Sequence, residues 1–130
     1  MATIHVGYRY YIDSTYTITA MQTGFNGLGI IKTANANKGN KKAMFLTFTL
    51  LQDATFYVAY DATGSAFPTW LTTSFTNTGQ IMQTTNGPMA LWKKDVTARP
   101  VALPGNKYQE RVSVRSQYVV LLDFHGPEPY

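Results

Sequence analysis

The chain has 130 residues, the size of a single module from residue 1 to 130, large enough to bury roughly two-thirds of the surface that its unfolded form exposes. It contains no cysteine, which excludes disulfides, thiolate metal sites and cysteine nucleophiles. Eleven Lys and Arg against seven Asp and Glu leave a net charge of +4, an excess that favours an acidic partner without demanding one. No run approaches the roughly 18 apolar residues that span a bilayer, and no basic segment followed by an apolar one opens the chain, so no membrane partner is expected.

Period-2 alternation dominates, and no window sustains helical spacing over a dozen residues. In chain order the predicted strands are Ile4 to Tyr11, Tyr16 to Ala20, Leu28 to Ala34, Ala43 to Leu51, Thr55 to Asp61, Gln80 to Thr84, Ala90 to Val96, Pro100 to Leu103 and Gln117 to His125. Turn clusters separate them at Gly24 to Gly27, Asn35 to Asn40, Thr63 to Pro68, Asn86-Gly87-Pro88 and Pro104-Gly105-Asn106. Short strands punctuated this way, without a long helical insert, predict an all-β chain, a two-sheet antiparallel β-sandwich of jelly-roll type.

Alternation assigns faces. Met44, Leu46, Phe48 and Leu50 should point inward, as should Phe56, Val58 and Tyr60, leaving Tyr57, Ala59 and Asp61 outward. Tyr118, Val120, Leu122 and Phe124 form the last inward set. Val119 and Leu121 are apolar as well, so that strand is expected to be covered on both sides.

Several segments resemble a family signature when taken in order. Phe56-Tyr57-Val58-Ala59-Tyr60-Asp61 is followed by Pro68-Thr69-Trp70-Leu71, then Phe75-Thr76-Asn77-Thr78-Gly79, Leu91-Trp92-Lys93-Lys94 and Leu103-Pro104-Gly105-Asn106. With Leu28 to Ala34 and Phe45-Leu46-Thr47-Phe48 upstream, most of residues 25 to 124 take part. The pattern is similar to β-sandwich accessory modules carried by secreted bacterial polysaccharide-degrading enzymes. The resemblance implies a non-catalytic, carbohydrate-binding module of a larger secreted protein, with its catalytic domain elsewhere in the same polypeptide and Met1 added where the module was cut out.

The catalytic inventory is thin. His5 and His125 are the two histidines, no nucleophile elbow or H-E-x-x-H occurs, and the carboxylates are scattered along the chain. Sugar binding asks instead for an aromatic face to cover the C–H side of a pyranose, with polar groups at its rim. Trp70 and Trp92 are the two tryptophans. Trp70, in a Pro-bounded loop, is either such a platform or a plug capping one end of the sandwich. Trp92 either shares an outer face with Lys94, a seat for a uronate or sulfated sugar, or is a core residue alternating with Ala90. Tyr57 is a further outward ring by alternation, and Tyr8, Tyr10 and Tyr11 form another aromatic group. Lys41 and Lys42, with Lys32 and Lys38, cluster around one long turn, a solvated loop or an electrostatic capture site for a polyanion.

A charge of +4 without an RNP-like motif argues against nucleic acid. No cofactor is required. A structural calcium, if present, would fall to Asp61 or Asp53, and no EF-hand loop occurs. The expectation is therefore a secreted, monomeric module that targets an attached enzyme to a polysaccharide, an acidic one by the charge balance. A non-binding spacer and a small polysaccharide lyase are the alternatives.

Overall fold

In the computed structural model the described residues are 3–38, 40, 42, 44–63, 67–106 and 117–124. Eight strands are present among them: β1 (Ile18–Ala20), β2 (Gly29–Ile31), β3 (Leu46–Thr49), β4 (Ala54–Asp61), β5 (Thr76–Thr84), β6 (Gly87–Val96), β7 (Pro100–Leu103) and β8 (Val119–Phe124). One short helix, α1 (Thr69–Ser74), precedes β5. The strands form a six-stranded sheet in the order β1-β5-β6-β4-β8-β2 and a two-stranded sheet β3-β7, with every pairing antiparallel. The protein is an all-β sandwich, as the alternation predicts.

The central strands β4, β6 and β8 are apolar on both faces, and each face has its own cover. On the first, Phe56, Val58, Tyr60, Ala90, Trp92, Tyr118, Val120 and Leu122 meet Leu50, Leu71 and Leu103, with Leu46, Phe48 and Val101 from the small sheet packed against them. On the second, Ala59, Met89, Leu91, Val119 and Leu121 are sealed by Ile4, Tyr10, Tyr11, Ile18 and Phe25. The inward set Phe56, Val58 and Tyr60 and the double covering of β8 are as expected.

The second cover overturns other expectations. Ala59 and Asp61, read as outward, are buried, and Tyr57 is half-buried. The predicted strand Ile4 to Tyr11 is instead an irregular segment that turns at Val6–Gly7 and touches its neighbours through isolated bridges at Thr3, Arg9 and Tyr11. Its alternation breaks there because Tyr10 and Tyr11 are both needed against the sheet, and the Tyr11 hydroxyl donates to the Gln117 carbonyl. Asp13 ties down the same segment by accepting the Asn35 and Ala36 amides at 2.7 and 3.0 Å. Those hydrogen bonds, Ala36 first, hold its carboxyl below the usual range.

Met44, read as inward, is 66% exposed. It precedes β3, and the β3–β7 register ends at the Leu46–Leu103 pair, so among the described residues no strand pairs with it. Strand lengths also differ: β5 begins at Thr76 and β6 at Gly87, both earlier than predicted, whereas β2 and β3 are shorter at both ends. The end of the last predicted strand, His125, lies outside the described residues.

Two glycines of the signature have local explanations. Gly79 has φ of +76° and sits where the β5–β6 register shifts between Asn77 and Ile81. This is a bulge that a residue with a Cβ adopts only under strain, closed by Asn77 Oδ1 accepting the Gly79 amide at 2.9 Å. At Gly105 the need is for space: an added Cβ would overlap the Asn40 main-chain carbonyl, lying 2.7 Å from its carbon. Gly105→Ala should therefore cost about 1–3 kcal/mol through overpacking, read as a lower urea midpoint with an unchanged m-value.

Tyr118 is fully buried and its hydroxyl donates to the Pro104 carbonyl at 2.8 Å. Burial, with the neighbouring Tyr60 adding to it, pushes the phenol far above its ordinary value, and burial raises Tyr10 as well. The unfolded chain releases these protons near pH 10 while the folded one keeps them, so stability is complete below about pH 10 and falls above it. The urea midpoint should be flat from neutral pH until that point and decline beyond it, and Tyr118→Phe should flatten the decline.

Candidate functional site

Among the described residues the first face is not covered from end to end, and where the cover stops a cleft of about 310 Å³ opens. The large sheet supplies Phe56 and Lys94, α1 and its C-terminal cap supply Trp70 and Phe75, and β7 with the preceding Arg99 forms the opposite wall.

Helix α1 exists because Pro68, at φ −69°, suits the residue before a first turn, and it stops where Phe75 becomes extended. Its Leu71 is fully buried and anchors it, while the adjacent Trp70 is half-buried. Trp70 makes edge-on contacts with Tyr118, Phe75 and Tyr60 at centroid distances of 5.4, 6.3 and 6.5 Å. It is thus a plug on one side and cleft lining on the other. Six residues are too few for helical periodicity to register, so the sequence reads this stretch as a loop.

Lys94 lies opposite Phe56 in the β4–β6 register, and its ammonium stands 5.8 Å from the centre of the Phe75 ring, a cation–π distance. Arg99 is exposed, and its carbonyl accepts the Leu50 amide at 2.9 Å, which fixes the main chain of the turn into β7. Among the described residues lining the cleft there is no Asp or Glu. Asp53 stands nearby, accepting the Ala98 amide at 2.9 Å, but it is not part of the lining. Strand β7 runs along the cleft and, among the described residues, pairs with β3 alone. Its other edge has no strand partner among the described residues. The cleft thus combines ring surface, two cations and a strand edge.

Of the residues singled out in the sequence, Trp70 and Lys94 come together here. Lys42 is exposed, and its carbonyl accepts the amide of Gly105, next to Pro104 at the end of the cleft. Lys41 lies outside the described residues. Trp92 is on the same face of β6 as Lys94 but belongs to the core: it is 8% exposed and packs edge-on to Phe67 at 5.1 Å. The reason is the small sheet and α1, which cover the face that strand alternation alone leaves open. Tyr57 points to the second face, edge-on to Phe25 at 4.8 Å, where burial, then Asp123 and Asp95, raise its phenol. Phe75 and Arg99 escaped the sequence reading. Phe75 is 8% exposed, buried to the same degree as Trp92, and lines the cleft from the core side, whereas a single arginine in a turn carries no signal.

Asp61 accepts the Thr63 amide and hydroxyl at 2.8 and 2.6 Å, closing the turn after β4, and Asp53 holds the Ala98 amide. Among the described residues no group of three His, Cys, Asp or Glu side chains comes together as a metal site.

No protein-family profile matches the chain, and no curated protein does. Its structure is similar to a β-glucuronidase from glycoside hydrolase family 2, with TM-score 0.83 at 18% sequence identity, covering 97% of this chain and 13% of that one. The likeness is one of fold: this chain has the architecture of a small part of that enzyme.

Removing a buried indole from a core leaves a cavity, so Trp92→Ala should cost about 3–5 kcal/mol, measured by urea unfolding.

Proposed function

We propose that the chain is a non-catalytic accessory module that holds an attached polysaccharide-degrading enzyme on its substrate, with the cleft as its carbohydrate site. The observation that carries this reading is the meeting of Trp70 and Phe75 with Lys94 and Arg99 around one opening between the two sheets. Rings cover the apolar side of a sugar with little rotamer entropy to lose, and cations with a strand edge meet its polar rim. A volume of about 310 Å³ stands at the small end of ligand pockets, enough for one or two sugar residues of a longer chain.

Two further observations support it. The fold matches 13% of a glycoside hydrolase chain, the relation expected of a module beside a catalytic domain. No carboxylate lines the cleft among the described residues, so the paired-carboxylate chemistry of glycoside hydrolysis has no seat there. In this reading the module works outside a bacterial cell as a monomeric part of its enzyme and needs no cofactor.

Affinity electrophoresis through gels containing polysaccharides tests the reading. The module should be retarded by at least one polymer, Trp70→Ala should lessen the retardation in protein shown by far-UV circular dichroism to be folded, and incubation should release neither reducing ends nor unsaturated product. Retardation by none would leave a structural spacer, unsaturated product would make it a lyase, and reducing ends without unsaturation would make it a hydrolase.

A further inference from the structure

The lining of the cleft narrows its ligand. We infer that it takes an acidic sugar, the carboxylate or sulfate ester held between Lys94 and Arg99 while the ring rests against Trp70, the half-buried ring of the lining. This rests on the cleft being the carbohydrate site.

The two cations reach the opening from different layers. Lys94 comes from β6 of the large sheet, and Arg99 from the turn that begins β7 of the small one. They differ in setting as well. Lys94 is half-buried, opposite Phe56 and over the Phe75 ring, whereas Arg99 is exposed. An ammonium placed over a ring is partly shielded from water, and its attraction for an anion gains from the lower local dielectric. A guanidinium adds a planar fork that matches a carboxylate or sulfate in two hydrogen bonds. With no acidic side chain in the described lining, neither charge is cancelled within the cleft. A neutral sugar would leave both cations facing its hydroxyls, a weaker pairing than charge against charge.

Lys93 provides the internal control. It precedes Lys94 on β6, points to the opposite face and is exposed, so Lys93→Met removes the same net charge without touching the cleft.

The test measures retention of the wild-type module and of Lys94→Met, Arg99→Met and Lys93→Met on polygalacturonate, alginate and chondroitin sulfate. Fully methyl-esterified polygalacturonate and xylan serve as uncharged counterparts, and far-UV circular dichroism confirms folding of each variant. At least one acidic polymer should bind. Lys94→Met and Arg99→Met should each weaken that binding about tenfold, the factor worth one charge-assisted contact, and Lys93→Met by less than about twofold, as for a surface charge. Added salt should weaken the wild type more than either cleft variant. Where polygalacturonate is the ligand, esterification should abolish the advantage. Equal binding of neutral and acidic polymers, or equal losses in all three variants, would overturn the acidic-ligand inference while leaving the carbohydrate site standing. Binding to no polymer would overturn both.

Discussion

Strands β4, β6 and β8 carry large apolar side chains on both of their faces, and neither face can be left in water. Buried apolar surface stabilises by roughly 25 cal/mol per Å², so leaving either face bare would forfeit the largest favourable contribution to folding. The rest of the molecule is arranged to meet this requirement. The small β3–β7 sheet and α1 close one side, and the irregular segment containing Ile4, Tyr10 and Tyr11 closes the other.

The two covers differ in kind. The small sheet is regular and lays Leu46, Phe48, Val101 and Leu103 against the large one. The N-terminal cover has almost no sheet pairing of its own and is held by scattered main-chain bonds. The Ile4, Gly7 and Ile12 amides donate to the Leu28, Ile18 and Thr33 carbonyls at 2.9, 2.7 and 3.1 Å, and the Ile4 and Tyr8 carbonyls accept the Gly27 and Ile18 amides at 2.8 and 3.1 Å. Tyr11 and Asp13 add side-chain bonds to the Gln117 carbonyl and to the Asn35 and Ala36 amides. Each of these bonds satisfies main-chain groups that strand pairing would otherwise have served. The segment can therefore be irregular without leaving them unpaired.

The cleft follows from the same geometry. Four residues of β7 and six of α1 are too short to cover the full first face among the described residues, and the opening between them has the buried Phe56 behind it and brings Lys94 beside Phe75. Core packing and the candidate site consequently share residues. Trp70 touches Tyr60 and Tyr118 of the core while lining the opening. A ligand resting against it would contact a ring already fixed in place, with little side-chain entropy left to lose on binding.

How much could be read from the chain depended on the range of the interaction concerned. Alternation in Phe56, Val58 and Tyr60 and in Tyr118, Val120 and Leu122 is a property of single strands, because successive side chains point to opposite faces. It was legible without any partner, and so were the all-β class, the strand order from β1 onward and the sandwich. Which layer would cover each face is not a local property. Ala59 and Asp61 are buried, Met44 is exposed and Trp92 is core because of segments distant in sequence that lie over those positions or fail to reach them. The site shows the same division: Trp70 and Lys94 could be named from residue type and placement, but their meeting with Phe75 and Arg99 arises only when β7 and α1 dock on the large sheet. Sequence determined what each strand presents; tertiary packing decided which of those faces meets water, because burial is set by contacts between distant segments.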